Sequence, residues 1–131
     1  MAEIKDLVIK AQDSNVPTYA RRDAIEALGR NGDLEGMAAL AELLAEPDRY
    51  LRRDVVKAIG RFGDEAVTVL IVALKDDDDL VRRDVVNARA RIGDSRALEP
   101  LRALLRDDSY AVRSATEGAL RRLDAAPSEA A

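Results

Sequence analysis

The stretch Leu51–Lys75, LRRDVVKAIGRFGDEAVTVLIVALK, decides the fold. Leu51, Val55, Ala58, Ile59 and Phe62 step by three and four, the spacing of an amphipathic helix. Gly63 can adopt the positive φ that stops a helix, and Asp64 follows as a natural N-cap for another. The apolar run AVTVLIVAL over residues 66–74 supplies that second helix. The stretch therefore predicts two helices joined by a tight Gly-Asp turn.

The same pattern lies on both sides. Ala20–Asp33 reads ARRDAIEALGRNGD and Val81–Asp94 reads VRRDVVNARARIGD. Val112–Leu123 reads VRSATEGALRRL and lacks the Gly-Asp ending. The four starts are separated by 31, 30 and 31 residues, so the chain is an array of repeats. Shorter second helices are predicted over Leu34–Ala45, Glu65–Lys75 and Ser95–Arg106, with loops at Glu46–Asp48, Asp76–Asp79 and Asp107–Ser109. Asp33 and Asp94 stand where Asp64 does, as caps. Glu3–Asp13 carries Ile4, Leu7, Val8 and Ala11 and matches the second helix of a preceding half-repeat. Pro17 sits near the start of the next helix. The last helix spans about Ser109–Leu123. The predicted order is half-repeat, three helix pairs, half-repeat: an all-α chain of eight helices, one domain over residues 1–124, with a frayed tail at 125–131.

Composition narrows the chemistry. The 131 residues are 47% hydrophobic and 35% charged, with a net charge of −4, the balance of a folded domain. There is no Cys, hence no disulfide or thiolate. There is no His, which removes the commonest general base and the commonest transition-metal ligand. An acidic domain is a poor binder of nucleic acid, whose affinity comes mainly from phosphate neutralisation. No run approaches the roughly 18 apolar residues of a membrane span, and MAEIKDLVIK lacks the apolar centre of a signal peptide. The expectation is a cytoplasmic protein with no membrane contact.

VRRDVVNA…RIGDSRALEPLRALL (Val81–Leu105) and LRRDVVKAIGRFGDEAV (Leu51–Val67) carry a resemblance. Over roughly residues 16–123 the chain resembles the HEAT-like repeat family, in the short form of phycobilin lyase subunits. The resemblance implies a right-handed α-α superhelix, with the second helices lining a concave face and neighbouring repeats sharing one core. It implies two functions. One is a non-catalytic protein-interaction or scaffold module. The other is an accessory protein or subunit for phycobilin (tetrapyrrole) attachment or phycobiliprotein handling.

Several residues invite a chemical reading. The triplets Arg21-Arg22-Asp23, Arg52-Arg53-Asp54 and Arg82-Arg83-Asp84 could form an anion site, but their recurrence once per repeat fits a structural ladder better. Asp33 would meet Arg52, Asp64 would meet Arg82, and Asp94 would meet Arg113. Asp76–Asp79 lacks the Gly and distal Glu of a calcium loop and stands where a helix N-terminus favours negative charge; Asp107 and Asp108 repeat it. No carboxylate pair, nucleophile or glycine-rich phosphate loop marks a catalytic centre, so no catalytic residue, metal or cofactor is expected. Arg89 is the oddity: its equivalents Leu28, Ile59 and Leu120 are apolar, and Ala90 replaces Gly29 and Gly60. A core-facing Arg needs a carboxylate or a route to water.

Aligning the second helices predicts a partner surface. Ala97, Leu98, Leu101, Leu104 and Leu105 should face inward, as should Ala66, Val67, Leu70, Ala73 and Leu74 after one deletion near Glu65. Outward positions are Ala38, Ala41, Glu42 and Ala45, then Thr68, Val69, Ile71, Val72 and Lys75, then Glu99, Arg102, Ala103 and Arg106. Val and Ile are unusual on a wet helix face. An apolar centre at Val69, Ile71 and Val72 with a charged rim resembles an interface for a protein partner or a second copy.

Overall fold

The structure, a computed structural model, describes residues 3–93 and 95–125. Its eight α-helices are α1 (Ile4–Gln12), α2 (Thr18–Asn31), α3 (Leu34–Glu42), α4 (Arg49–Gly60), α5 (Val67–Ala73), α6 (Asp79–Ile92), α7 (Leu98–Arg102) and α8 (Tyr110–Ala125). No strand occurs among the described residues. The longer helices α2, α4, α6 and α8 pack each on the next, and α1, α3, α5 and α7 lie against them. The result is an all-α solenoid with one continuous core running from Ala11 through Leu28, Ile59 and Val85 to Ala119. Of the tail expected at 125–131, Ala125 instead ends α8, and 126–131 lie outside the described residues.

Glycine caps the C-terminal ends of α2 and α6, whereas Arg61 caps α4 and its glycine, Gly63, opens the following turn. Gly32, Gly63 and Gly93 have φ of 77°, 63° and 74°, a region that costs other residues about 1 kcal/mol or more. Asp33 then caps α3 by accepting from the Glu35 N–H at 2.8 Å. Asp64 does not cap: it lies within a 3-10 turn, Gly63–Ala66, that leads into α5. That tighter turn absorbs the one-residue shortening of the central repeat. Asp94 lies outside the described residues. Pro17 is the N-cap residue of α2, as placed.

The first helices approach each other through small residues. A Cβ on Gly29 would lie 3.0 Å from both Cα and Cβ of Ala58, and one on Gly60 would lie 3.2 Å from the Ala88 Cβ. The α2 backbone thus lies against that of α4, and the α4 backbone against the Ala88 Cβ of α6, which Leu or Val at these positions would prevent. Ala90, which replaces glycine in the third copy, is buried.

An arginine staple fixes the stacking, but not with the partners predicted. Arg52 donates from Nη1 to the carbonyls of Glu46 and Pro47, at 2.7 and 3.0 Å, in the loop before its own helix. Its Nε and Nη2 reach forward to both oxygens of Asp76, at 3.1 and 3.3 Å, in the next loop. Arg82 repeats this, from the Asp76 carbonyl at 2.7 Å to Asp107 at 2.9 and 3.0 Å. Arg21 bonds the Ala11 carbonyl and pairs with Glu46 at 2.6 Å; Arg113 donates to the Asp107 carbonyl.

The predicted pairs Asp33–Arg52 and Asp64–Arg82 do not form. The Gly-Asp turns follow the C-terminal ends of the first helices, whereas the arginines sit at their N-terminal ends. Twelve residues of α4 separate the two ends by about 18 Å at about 1.5 Å per residue. Asp64 instead lies 3.6 Å from Arg96.

A second ladder runs beside the first. Arg22 pairs with Asp54 at 2.6 Å and Arg53 with Asp84 at 2.8 Å. Ala115 interrupts it, and Arg83 turns back to Asp84 of its own helix at 3.5 Å.

The acidic loops do structural work, as expected. Asp78 caps α6 through the N–H groups of Leu80 and Val81. Asp76 and Asp107 hold the staples, each also accepting an N–H two residues on.

Two outcomes test this account. Gly29→Ala should destabilise by about 1–3 kcal/mol, because overpacking outweighs the helix-propensity gain of about 1 kcal/mol; thermal and denaturant melts measure it. The second concerns Asp107. Burial works to raise its pKa, but the Arg82 guanidinium and the Ser109 N–H hold it below its usual 3.8. A depressed carboxylate contributes stability that is present above 3.8 and lost as pH falls through the lower folded value. Unfolding free energy should therefore drop steeply below about pH 4, and Asp107→Asn should be less stable at pH 7 with a shallower acid slope.

Candidate functional site

The second helices are short because 3-10 turns replace part of each. α3 ends in a turn at Leu43–Ala45, α5 is preceded by Gly63–Ala66, and α7 is flanked by Ser95–Ala97 and Ala103–Arg106. A 3-10 turn advances about 120° per residue rather than 100°, so the outward positions drift from a uniform helical count. Leu105, expected inside, is 40% exposed for this reason. Val69, expected outside, is half-buried and packs against the core.

The remaining residues largely fall as predicted. Ala66, Val67, Leu70, Ala73, Leu74, Ala97 and Leu101 are buried, and Leu98 and Leu104 half-buried. Ala38, Glu42, Ala45, Thr68, Val72, Lys75, Glu99, Arg102, Ala103 and Arg106 are exposed; Ala41 and Ile71 are half-buried. Val72 is the outstanding position at 68% exposure. Its neighbours four before and three after, Thr68 and Lys75, are exposed too, so one stripe of α5 faces outward with a valine at its centre. Phase explains this. Leu70, Ala73 and Leu74 occupy the core side, which leaves Val72 nearly opposite.

Charge is divided across this face. The α3 side carries Glu35 and Glu42, and Glu42 accepts a hydrogen bond from Gln12 Nε2 at 3.0 Å. The α7 side carries Arg96, Arg102 and Arg106; Arg102 pairs with Glu99. No ion pair involves Arg106 or Lys75 among the described residues. Val72, between Thr68 and Lys75, thus lies between a side carrying Glu35 and Glu42 and a side carrying three arginines and Glu99.

Arg89 lies elsewhere. It is 0% exposed, the largest fully buried side chain. Snorkelling is excluded, as is a direct contact with a partner. It belongs to the core of α6, where it is not without a partner.

Two features on the other helices leave no mark in the repeat pattern. Tyr19, Tyr50 and Tyr110, all the tyrosines of the chain, lie in the first turns of α2, α4 and α8 and are more than half exposed. Arg49 stacks over Tyr50 with 5.1 Å to the ring centre, and Arg113 over Tyr110 with 6.0 Å. Open grooves of about 430 and 620 Å³ run along α2–α4 and α4–α6, lined by side chains of both signs such as Asp54, Lys57 and Arg61. Among the described residues no group of three His, Cys, Asp or Glu is placed to hold a metal ion, and no helix is long and apolar enough to cross a membrane.

Val72→Asp should change unfolding free energy by no more than about 0.5 kcal/mol, whereas Leu70→Ala should cost about 2–5 kcal/mol. Denaturant melts of the two variants separate the wet side of α5 from the dry one.

The family model of HEAT repeats matches residues 4–69 and 37–121. No curated protein matches the sequence. Among solved structures, human deoxyhypusine hydroxylase is similar over 92% of this chain, with TM-score 0.86 and 24% identity. The CpcE–CpcF complex of phycocyanin lyase from Nostoc is similar over 92%, with TM-score 0.67 and 22% identity. A designed armadillo repeat protein in complex with the peptide (KR)4 is similar over 92%, with TM-score 0.65 and 18% identity. The chain spans 43% of the hydroxylase chain, 52% of the lyase chain and 64% of the designed one. Identities this low establish a shared fold.

Proposed function

The chain belongs to the HEAT-repeat family, and from that premise we propose that it is a non-catalytic interaction module whose second-helix face holds a protein partner. One observation carries the reading: Val72 stands 68% exposed at the centre of that face. Solvated helix positions favour straight-chain polar residues. A valine there, beside half-buried Ile71 and small Ala38 and Ala41, suits a dry contact. Glu42, Lys75, Glu99, Arg102 and Arg106 form the polar rim that excludes water around such contacts. The designed armadillo relative in complex with a peptide supports this use of a helical-repeat surface. In this reading the face is the concave one, and the protein works in the cytoplasm without membrane or nucleic-acid contacts.

The fold likeness to the phycocyanin lyase complex supports a second reading, an accessory role in tetrapyrrole attachment or phycobiliprotein handling. Against it, the chain offers neither Cys nor His to hold or transfer a chromophore. The hydroxylase likeness is one of fold, and the same lack of His and the absence of a placed donor cluster among the described residues favour a non-catalytic role.

Affinity capture from host extract tests the first reading. Proteins retained by the wild-type chain should be lost with Val72→Asp and kept with a substitution on the opposite face, Glu26→Gln. Retention of the same proteins by Val72→Asp overturns it. A visible absorbance change on mixing with free phycobilin would favour the second reading.

A further inference from the structure

We propose that the groove between α4 and α6, on the first-helix side of the array, holds an acidic segment of a protein chain. This contact is separate from the second-helix face and does not depend on it. The observation that points to it is the residue one turn before the arginine at the end of each first helix. Arg30, Arg61 and Arg91 occupy the same place in the repeat. In α2 the earlier residue is Glu26, and Arg30 donates to its carboxylate. In α4 it is Lys57, and in α6 it is Asn87. The acid that neutralises the first arginine is thus a second cation in the next repeat and a neutral amide in the one after. Like charges four residues apart destabilise a helix. Lys57, Arg61 and Arg91 are exposed and enter no ion pair among the described residues.

All three line one open groove of about 620 Å³. Arg91 leans across it: a Cβ on Gly60 would lie 3.9 Å from Arg91 Nη2, so the guanidinium passes over bare α4 backbone beside Arg61. Asp84, the acid in the lining, is buried and already held by Arg53 at 2.8 Å and Arg83 at 3.5 Å. The groove therefore carries an excess of positive charge in a chain of net charge −4. The α2–α4 groove, by contrast, holds Asp23, Glu26 and Asp54 beside its cations. One basic residue in a last turn answers the helix macrodipole, which requires neither Lys57 behind Arg61 nor Arg91 turned toward α4.

The charges are spread rather than gathered to a point. Lys57 and Arg61 stand one turn apart, about 6 Å along α4, and packed helices lie about 8–10 Å from each other. An extended chain advances about 3.3 Å per residue, so carboxylates two or three residues apart reach successive cations. A compact phosphate is a poorer match. The free N–H groups that suit phosphate belong to helix N-termini, and those of α4 and α6 lie at the far ends, at Arg49 and Asp79. Half-buried Ile92 and the bare backbone at Gly60 give the stems of a peptide's side chains an apolar floor.

Fluorescence anisotropy tests this with three labelled probes: a peptide of repeated Glu-Ser-Gly units, its Gln-Ser-Gly counterpart and a single-stranded oligonucleotide. Circular dichroism confirms that each exposed-site variant is folded. The glutamate peptide should bind at low salt and be released as salt rises, and the glutamine peptide should not bind. Arg61→Gln and Arg91→Gln should each raise the dissociation constant by at least about fivefold, and Lys57→Glu by more. Arg30→Gln and Val72→Asp should leave it unchanged. Lys57→Glu rebuilds in α4 the pairing of Glu26 with Arg30, so this variant should also unfold at higher denaturant than the wild-type chain. A glutamate peptide that fails to bind overturns the proposal. So does binding that ignores Arg61→Gln and Arg91→Gln, or that falls equally with Arg30→Gln and Val72→Asp. A Lys57→Glu chain that unfolds at lower denaturant overturns it too, because Lys57 would then serve the scaffold. An oligonucleotide bound as tightly as the glutamate peptide assigns the groove to nucleic acid and discards the peptide.

Discussion

Each repeat is tied to its neighbours by one arginine. Arg52 holds the two carbonyls of the loop behind it and both carboxylate oxygens of Asp76 in the loop ahead. Arg52 and Asp76 side chains are about nine-tenths buried. A guanidinium has five fixed donors and no acceptor, so only a planar fork of acceptors satisfies it. Shifting a repeat by one residue would strand both the charge and its carboxylate in a dry place, which is costly. Apolar contacts between Leu, Val and Ala are non-directional and would tolerate several registers. The staple, recurring as Arg21–Glu46 and Arg82–Asp107, selects one.

With register fixed, spacing follows from what is missing. Gly29 and Gly60 have no side chain, and Ala58 and Ala88 opposite them have one carbon. The first helices close on one another along this seam. The second helices inherit the remainder: short helical pieces joined to 3-10 turns, each anchored by leucines such as Leu40, Leu70 and Leu101. Their outer sides carry few structural contacts, such as the Gln12–Glu42 hydrogen bond. Composition there is free to vary, and it varies from Glu42 through Val72 to Arg106. A repeat protein separates stability from recognition in this way: the ladders hold the array, and the face opposite the core is left for contact.

The fold was legible in the chain because repetition averages over local ambiguity. A single apolar run such as AVTVLIVAL fits a strand as well as a helix, but three copies at constant spacing with Gly-Asp turns fit only stacked helix pairs. Leu70 inward and Val72 outward were also legible, since the helical period assigns them to opposite sides. Leu105 and Val69 were not, because the neighbouring 3-10 turns changed the phase by tens of degrees without a mark in composition. The ladder was half legible. Its arginines and acids recur visibly, but linear spacing cannot say which end of a helix an acid shares with an arginine.

The sequence by itself determined that this protein is a helical repeat array, where its turns fall, and that Leu70, Ala73 and Leu74 face the core. These follow from local rules: periodicity of apolar residues, glycine at positive φ, and the absence of Cys and His. Only the tertiary structure decided that Arg52 meets Asp76 rather than Asp33, and that Arg89 is buried beyond reach of solvent. It also decided that Val72 is left standing in water. Those outcomes depend on how neighbouring repeats stack, which is set by contacts between residues some thirty positions apart, too distant for any local pattern to encode.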